Sequence, residues 1–98
     1  MIVVLDTSAA VEVVLQQKSS KSFVKLLTEA DLVLAPTLLI TEVANAFWKY
    51  QKFADYPYDD CERAIDDSVA LVDEYVNEID LYREAFNLGC MLVILFTI

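Results

Sequence analysis

Two carboxylates stand where a small chain could do chemistry. In "MIVVLDTSAA" the apolar run of residues 2–5 ends in Asp6, and Thr7 and Ser8 follow where a helix is about to begin. In "APTLLITEVANAFWKY" Glu42 falls in the first turns of a helix, among Leu38, Leu39, Ile40, Val43 and Ala44. A carboxylate in such surroundings is costly to bury unless it meets a cation or hydrogen-bond donors. If the two converge, they offer the oxygen ligands that Mg2+ or Mn2+ prefers. Asn45 lies one helical turn beyond Glu42 and would be presented with it. Each acid also has a plainer role. Asp6 can cap a helix, as can Thr7 or Ser8, and Glu42 can be a solvent-facing glutamate favoured by the helix dipole.

The elements that must position these groups are legible by period. Residues 2–5 and 32–35 are short, continuous apolar runs, the pattern of strands covered on both faces. A helix is predicted over 9–15. After the polar break "QQKSSKS", a second runs from a cap at Ser19 or Ser20 to about residue 29, with Phe23, Val24, Leu26 and Leu27 on one face and lysines on the other. Pro36 ends the second strand. A long helix is predicted over 37–51, with Leu39, Val43, Ala46, Phe47 and Tyr50 as its core stripe. "FADYPYDD" is a loop. Asp59 or Asp60 leads into a helix to about residue 76, with Cys61, Ile65, Val69, Val72 and Val76 inward. A third short strand over 77–81 and a helical piece over 82–88, stopped by Gly89, complete the order. Strands alternating with helices imply crossover connections, a parallel sheet and an α/β fold. Strands of a parallel pair end on one side, so Asp6 and the start of the Glu42 helix are expected to share a rim, where ligands of such sheets bind.

Composition sets the bounds. Ninety-eight residues make a single domain, and a hydrophobic fraction of 57% is enough for a real core. One glycine and two prolines argue against an all-β chain of tight turns, and two cysteines, Cys61 and Cys90, are too few for a disulfide scaffold. No stretch is long and apolar enough to span a bilayer, and the start lacks the basic region of a signal peptide, so a cytoplasmic protein with no membrane partner is expected. The net charge of −9 is lopsided: residues 1–53 carry five acids and five bases, whereas residues 54–98 carry eleven acids against Arg63 and Arg83. That second half is unsuited to a generic polyanion surface. A metal-dependent enzyme acting on nucleic acid remains open, because the metal supplies positive charge.

The segments "VVLDTSAAVEV" and "PTLLITEVANAF", in this order and with these elements between them, resemble the PIN-domain proteins, in particular the VapC-type toxin ribonucleases of toxin–antitoxin pairs. The resemblance extends to about "IDLYREAFNLG", nearly the whole chain. It implies a PIN-like three-layer fold with a central parallel sheet, and Mg2+- or Mn2+-dependent cleavage of RNA. Asp6 and Glu42 would be the first two of three or four metal-holding acids, hence catalytic. Thr7, Ser8 and Asn45 would line the pocket, and Lys18, Lys21 and Lys25 are candidates for RNA-backbone contact, although a solvated helix face explains them as well. An antitoxin protein would be the partner. The alternative is a non-catalytic remnant that still binds its antitoxin or dimerises.

The chain departs from the family pattern at its end. No acid follows Glu84, so the third and fourth acidic positions and the last strands and helices are expected to be missing, with activity impaired. Losing a group that stabilises the transition state typically costs ~3 kcal/mol, roughly a hundredfold in rate. Residues 93–98 read as a frameshifted tail, the alternative being a naturally short chain with an apolar last strand: deleting the first adenine from GATCATCCTGTTTACGAT, which encodes Asp-His-Pro-Val-Tyr-Asp, leaves codons for Val-Ile-Leu-Phe-Thr and then AT, the first two bases of an isoleucine codon. Without the late strands, the first strand is expected to have an unpaired edge, a template for association. Residues 92–96 are β-prone and could fill it within the chain or by exchange. A homodimer or higher oligomer is the expectation, with the tail or first strand at or near the contact.

Overall fold

The computed structural model describes residues 1–77, 79, 83 and 95–97. Among these the chain runs β1 (Ile2–Val4), α1 (Thr7–Val14), α2 (Ser20–Glu29), β2 (Leu32–Pro36), α3 (Leu38–Phe53), α4 (Tyr58–Ala70), β3 (Glu74–Val76) and β4 (Leu95–Thr97). The sheet order is β3-β2-β1-β4 and every described pairing is parallel. The protein is therefore an α/β fold on a parallel sheet, as the alternation of elements predicts. No helix among the described residues is long and apolar enough to cross a membrane.

Two strands fix the position of the site. Val3 of β1 faces Val33 of β2, and the ladder continues one step beyond β1, where the Leu5 amide donates to the Leu34 carbonyl at 2.8 Å. This bond seats Leu5, fully buried, directly before Asp6. From the other strand, Pro36 and Thr37 lead into α3. The buried stripe Leu39, Val43 and Phe47 joins Leu5, Ala9, Ala10, Val33 and Ala35 in one core, with Ala46 and Tyr50 packed at its border. The predicted core face of α3 is the observed one.

The structure corrects several expected boundaries. The helix predicted to run from Asp59 or Asp60 to about residue 76 is α4, which starts at Tyr58 and ends at Ala70. Asp59 and Asp60 lie in its first turn, favourably placed toward the helix dipole. Its buried residues are Cys61, Ala64 and Ser68. The third strand is Glu74–Val76, not 77–81. Valines at 69, 72 and 76 keep a helical period, but tertiary bonds break the helix. The Asp73 carboxylate accepts from the Val33 amide at 2.7 Å, the Asp73 amide donates to the Val33 carbonyl, and the Tyr75 hydroxyl donates back to the Val69 carbonyl at 2.8 Å. Val24, expected on the core face of α2, is exposed, whereas Phe23 and Leu27 pack on the core. The helix predicted over 82–88 lies outside the described residues, apart from Arg83.

The first strand does not present the unpaired edge expected of it. Residues of β4 pair with β1 in the same chain, Ile2 opposite Leu95 and Val4 opposite Thr97. The chain's own tail covers that edge, so edge pairing is removed as a reason for self-association.

Candidate functional site

Asp6 is the N-cap of α1. Its backbone is extended (φ −100°, ψ 156°), and its Oδ1 accepts from the Ser8 amide at 2.6 Å and the Ser8 hydroxyl at 3.0 Å. The cap is thus Asp6, not Thr7 or Ser8, and Ser8 holds Asp6 rather than lining the cleft. One oxygen, Oδ1, makes both bonds. The other, Oδ2, has no hydrogen-bond partner among the described residues, so capping leaves half of the carboxylate available.

Glu42 approaches from α3. Its Oε2 accepts from the Thr7 hydroxyl at 3.3 Å, a direct link between the start of α1 and the second turn of α3. Asp6, Thr7 and Glu42 line one cavity of about 290 Å³ at the carboxyl end of β1 and β2, floored by Val4, Leu5, Pro36 and Leu39. Thr7 and Glu42 also border a larger groove of about 490 Å³, which runs past Asn45, Ala46, Lys49 and Tyr50 to Phe53 and Ala54. The structure therefore brings Asp6, Thr7, Glu42 and Asn45 to one rim. Lys18, Lys21 and Lys25 are exposed and line neither cavity.

Glu42 is exposed, against the expectation from its apolar neighbours. Leu38, Ile40 and Ala44 are themselves exposed, and only Leu39 and Val43 are buried, so the penalty of a buried carboxylate does not arise. The charge at the rim comes instead from placement. Two carboxylates at one cleft repel an approaching phosphodiester unless a cation lies between them.

Asp6 and Glu42 are the residues at this cleft that could hold a hard divalent ion. Mg2+ keeps several waters and is commonly bound through one or two carboxylates plus substrate phosphates. Asp6 and Glu42 would supply one oxygen each. Among the described residues, no group of three or more His, Cys, Asp or Glu is placed to hold an ion. Of the residues bordering the larger groove, Tyr50 belongs to the predicted core stripe and packs at the border of the core, whereas Lys49 and Phe53 were not singled out from the sequence. The signal was available: from Glu42, positions 45, 49 and 53 repeat at helical spacing along one face of α3.

The fold and the site together define a class, an α/β domain with a two-carboxylate cleft at the carboxyl end of a parallel sheet. No model of a known family matches the chain, and no curated protein matches it.

Proposed function

We propose that this chain is a Mg2+- or Mn2+-dependent endoribonuclease of the PIN-domain, VapC-like toxin type, acting in the cytoplasm and paired with an antitoxin protein. In this reading its activity is impaired, because among the described residues the cleft carries two acids rather than three or four. One observation carries the proposal: Asp6 and Glu42, distant in sequence and set on different elements, border the same cleft and are linked through Thr7. A divalent ion bound there would supply an activated water and neutralise charge developing on the phosphate.

The chain's own groups do the positioning. Asp6 and Glu42 are the residues that would hold the ion. The Ser8 amide and hydroxyl fix the Asp6 carboxylate, and the Thr7 hydroxyl fixes that of Glu42. The N-terminus of α1 favours an anionic group beside Asp6. Leu5 and Leu39, both buried, form an apolar floor.

The test is cleavage of single-stranded RNA with and without a divalent cation. Cleavage should need the cation, stop on chelation, and fall on the order of a hundredfold or more in Asp6→Asn and Glu42→Gln. Cleavage that persists in EDTA, or equally in both variants, overturns the reading. The exposed apolar side chains of α3, Leu38, Ile40 and Trp48, favour a second reading, a non-catalytic module that binds its antitoxin or a second copy through this helix. Stable association without any metal-dependent cleavage would select it.

A further inference from the structure

A separate groove of about 160 Å³ lies between α3 and α4 and shares no lining residue with either cavity at the acid rim. Phe47 and Trp48 of α3 line it together with Tyr58, Cys61, Glu62 and Ile65 of α4. Phe47 and Cys61 are buried and form its floor, whereas Trp48 is 50% and Tyr58 68% exposed, so two rings stand open to solvent above an apolar base. Its lip is acidic. Glu62 is the charged residue of the lining, and Asp59 and Asp66, three residues before it and four after, share its face of α4. Arg63 lies on the next row of that helix, paired with Asp60. Lys52, whose ammonium rests 5.3 Å from the Trp48 ring centre, is the base at this border.

The chain carries a surface of the opposite kind on α2. Phe23 and Leu27 turn that helix toward the core, and its outer face holds Lys21 and Lys25, both exposed, with Val24 beside them, 45% exposed. Lys18 stands in the turn just before the helix, and the one acid of α2 is its last residue, Glu29. Residues 18–25 thus hold three of the chain's five lysines and no acid. Lys21 and Lys25 are four residues apart, as are Glu62 and Asp66, so each helix presents its two charges about 6 Å apart along its axis. No residue of α2 lines the α3–α4 groove, so the two surfaces do not meet within one chain.

We propose that the α3–α4 groove receives α2 of a second copy of this chain, with Val24 entering between Trp48 and Tyr58, and Lys21 and Lys25 meeting Glu62 and Asp66. Charge complementarity selects the occupant. Two copies of net charge −9 repel one another on average, and turning the lysine face of one toward the acidic lip of the other replaces that repulsion with attraction. The buried apolar contact supplies affinity, and the charges set orientation and register. The contact joins two different surfaces and is therefore heterologous. A bound pair still offers one groove and one α2, so association continues past the dimer unless a ring closes. None of this depends on the acid pair at Asp6 and Glu42.

Sedimentation velocity of the full chain over a concentration series tests this, in EDTA so that no divalent ion bridges carboxylates. The parent should pass from monomer to larger species as concentration rises, and high salt should weaken the association. The double variants Lys21→Glu/Lys25→Glu and Glu62→Lys/Asp66→Lys should each lose self-affinity on the order of tenfold or more, because like charges then face one another. All four side chains are exposed, so both variants should keep the far-ultraviolet circular dichroism of the parent. Mixing the two variants should restore the association that neither shows alone, since each then offers the surface the other has made complementary. Val24→Asp should weaken association in the otherwise unchanged chain. The proposal is overturned if the parent stays monomeric, if the charge-reversed variants associate as the parent does, or if their mixture fails to associate. A monomeric parent that takes a foreign cationic peptide in this groove would assign the surface to another partner and overturn it as well.

Discussion

Asp6 caps α1 through one oxygen and is proposed to hold a cation through the other, and a pair of substitutions separates the two. Oδ1 closes the N-terminus of α1 through the Ser8 amide at 2.6 Å and the Ser8 hydroxyl at 3.0 Å. Asn caps a helix about as well as Asp, whereas Ala does not, and losing a cap costs about 0.5–2 kcal/mol. Asp6→Ala should therefore lower unfolding stability by about 1 kcal/mol, which shifts the melting temperature of a domain this size by roughly 4–8 °C. Asp6→Asn should stay within a few tenths of a kcal/mol of the parent. Both variants remove the negative oxygen offered to a cation, so both should lose divalent-ion binding and any metal-dependent cleavage to a similar degree. Urea unfolding followed by the single tryptophan, Trp48, gives the first quantity, and ion titration gives the second. If Asp6→Asn retains parental ion affinity, the carboxylate is a cap and nothing more. If Asp6→Ala is as stable as the parent, the capping geometry is wrong.

Further expectations follow from other parts of the fold. Gln16 sits at φ 54° just past α1, where its amide donates to the Val13 carbonyl and the Gln17 amide to that of Glu12, so Gln16→Gly should stabilise by about 0.5–1 kcal/mol, read as a rise in melting temperature. Phe47→Ala empties a fully buried position and should destabilise by about 3–5 kcal/mol in urea unfolding. A hydrogen bond from the N-terminal ammonium, and then its charge, hold the Asp31 carboxyl below the ordinary aspartate range. The stabilisation from this pair should be present above the unfolded-state pKa and disappear as pH falls through the folded one, a dependence that Asp31→Asn removes. Burial pushes the Tyr75 hydroxyl upward. Its contribution should be intact below the ordinary tyrosine pKa and be lost as pH rises through the raised value, checked by ultraviolet titration against Tyr75→Phe.

The parts of this fold that follow from local chemistry were legible in the sequence. Continuous β-branched runs marked β1 and β2, and the stripe from Leu39 to Tyr50 marked the buried face of α3. Asp6 and Glu42 were legible as a pair because parallel strands end on one side, which places the starts of the following helices together. What failed depended on contacts across the sheet. The end of α4 and the start of β3 are set by Asp73 meeting the Val33 backbone, and the valine period alone reads straight through that break. Glu42 is exposed because Leu38, Ile40 and Ala44, its apolar neighbours in sequence, point away from the core.

The central claim is that Asp6 and Glu42 form the cation site of a strongly acidic chain. Mn2+ titration of the 15N-labelled protein, read as paramagnetic broadening of amide resonances, tests it most directly. The account predicts broadening centred on residues 6–8 and 42–45 at low Mn2+, abolished by Asp6→Asn and by Glu42→Gln. Broadening centred instead on the acidic face of α4, around Asp59, Asp60, Asp66 and Asp67, and unchanged in both variants, would contradict it.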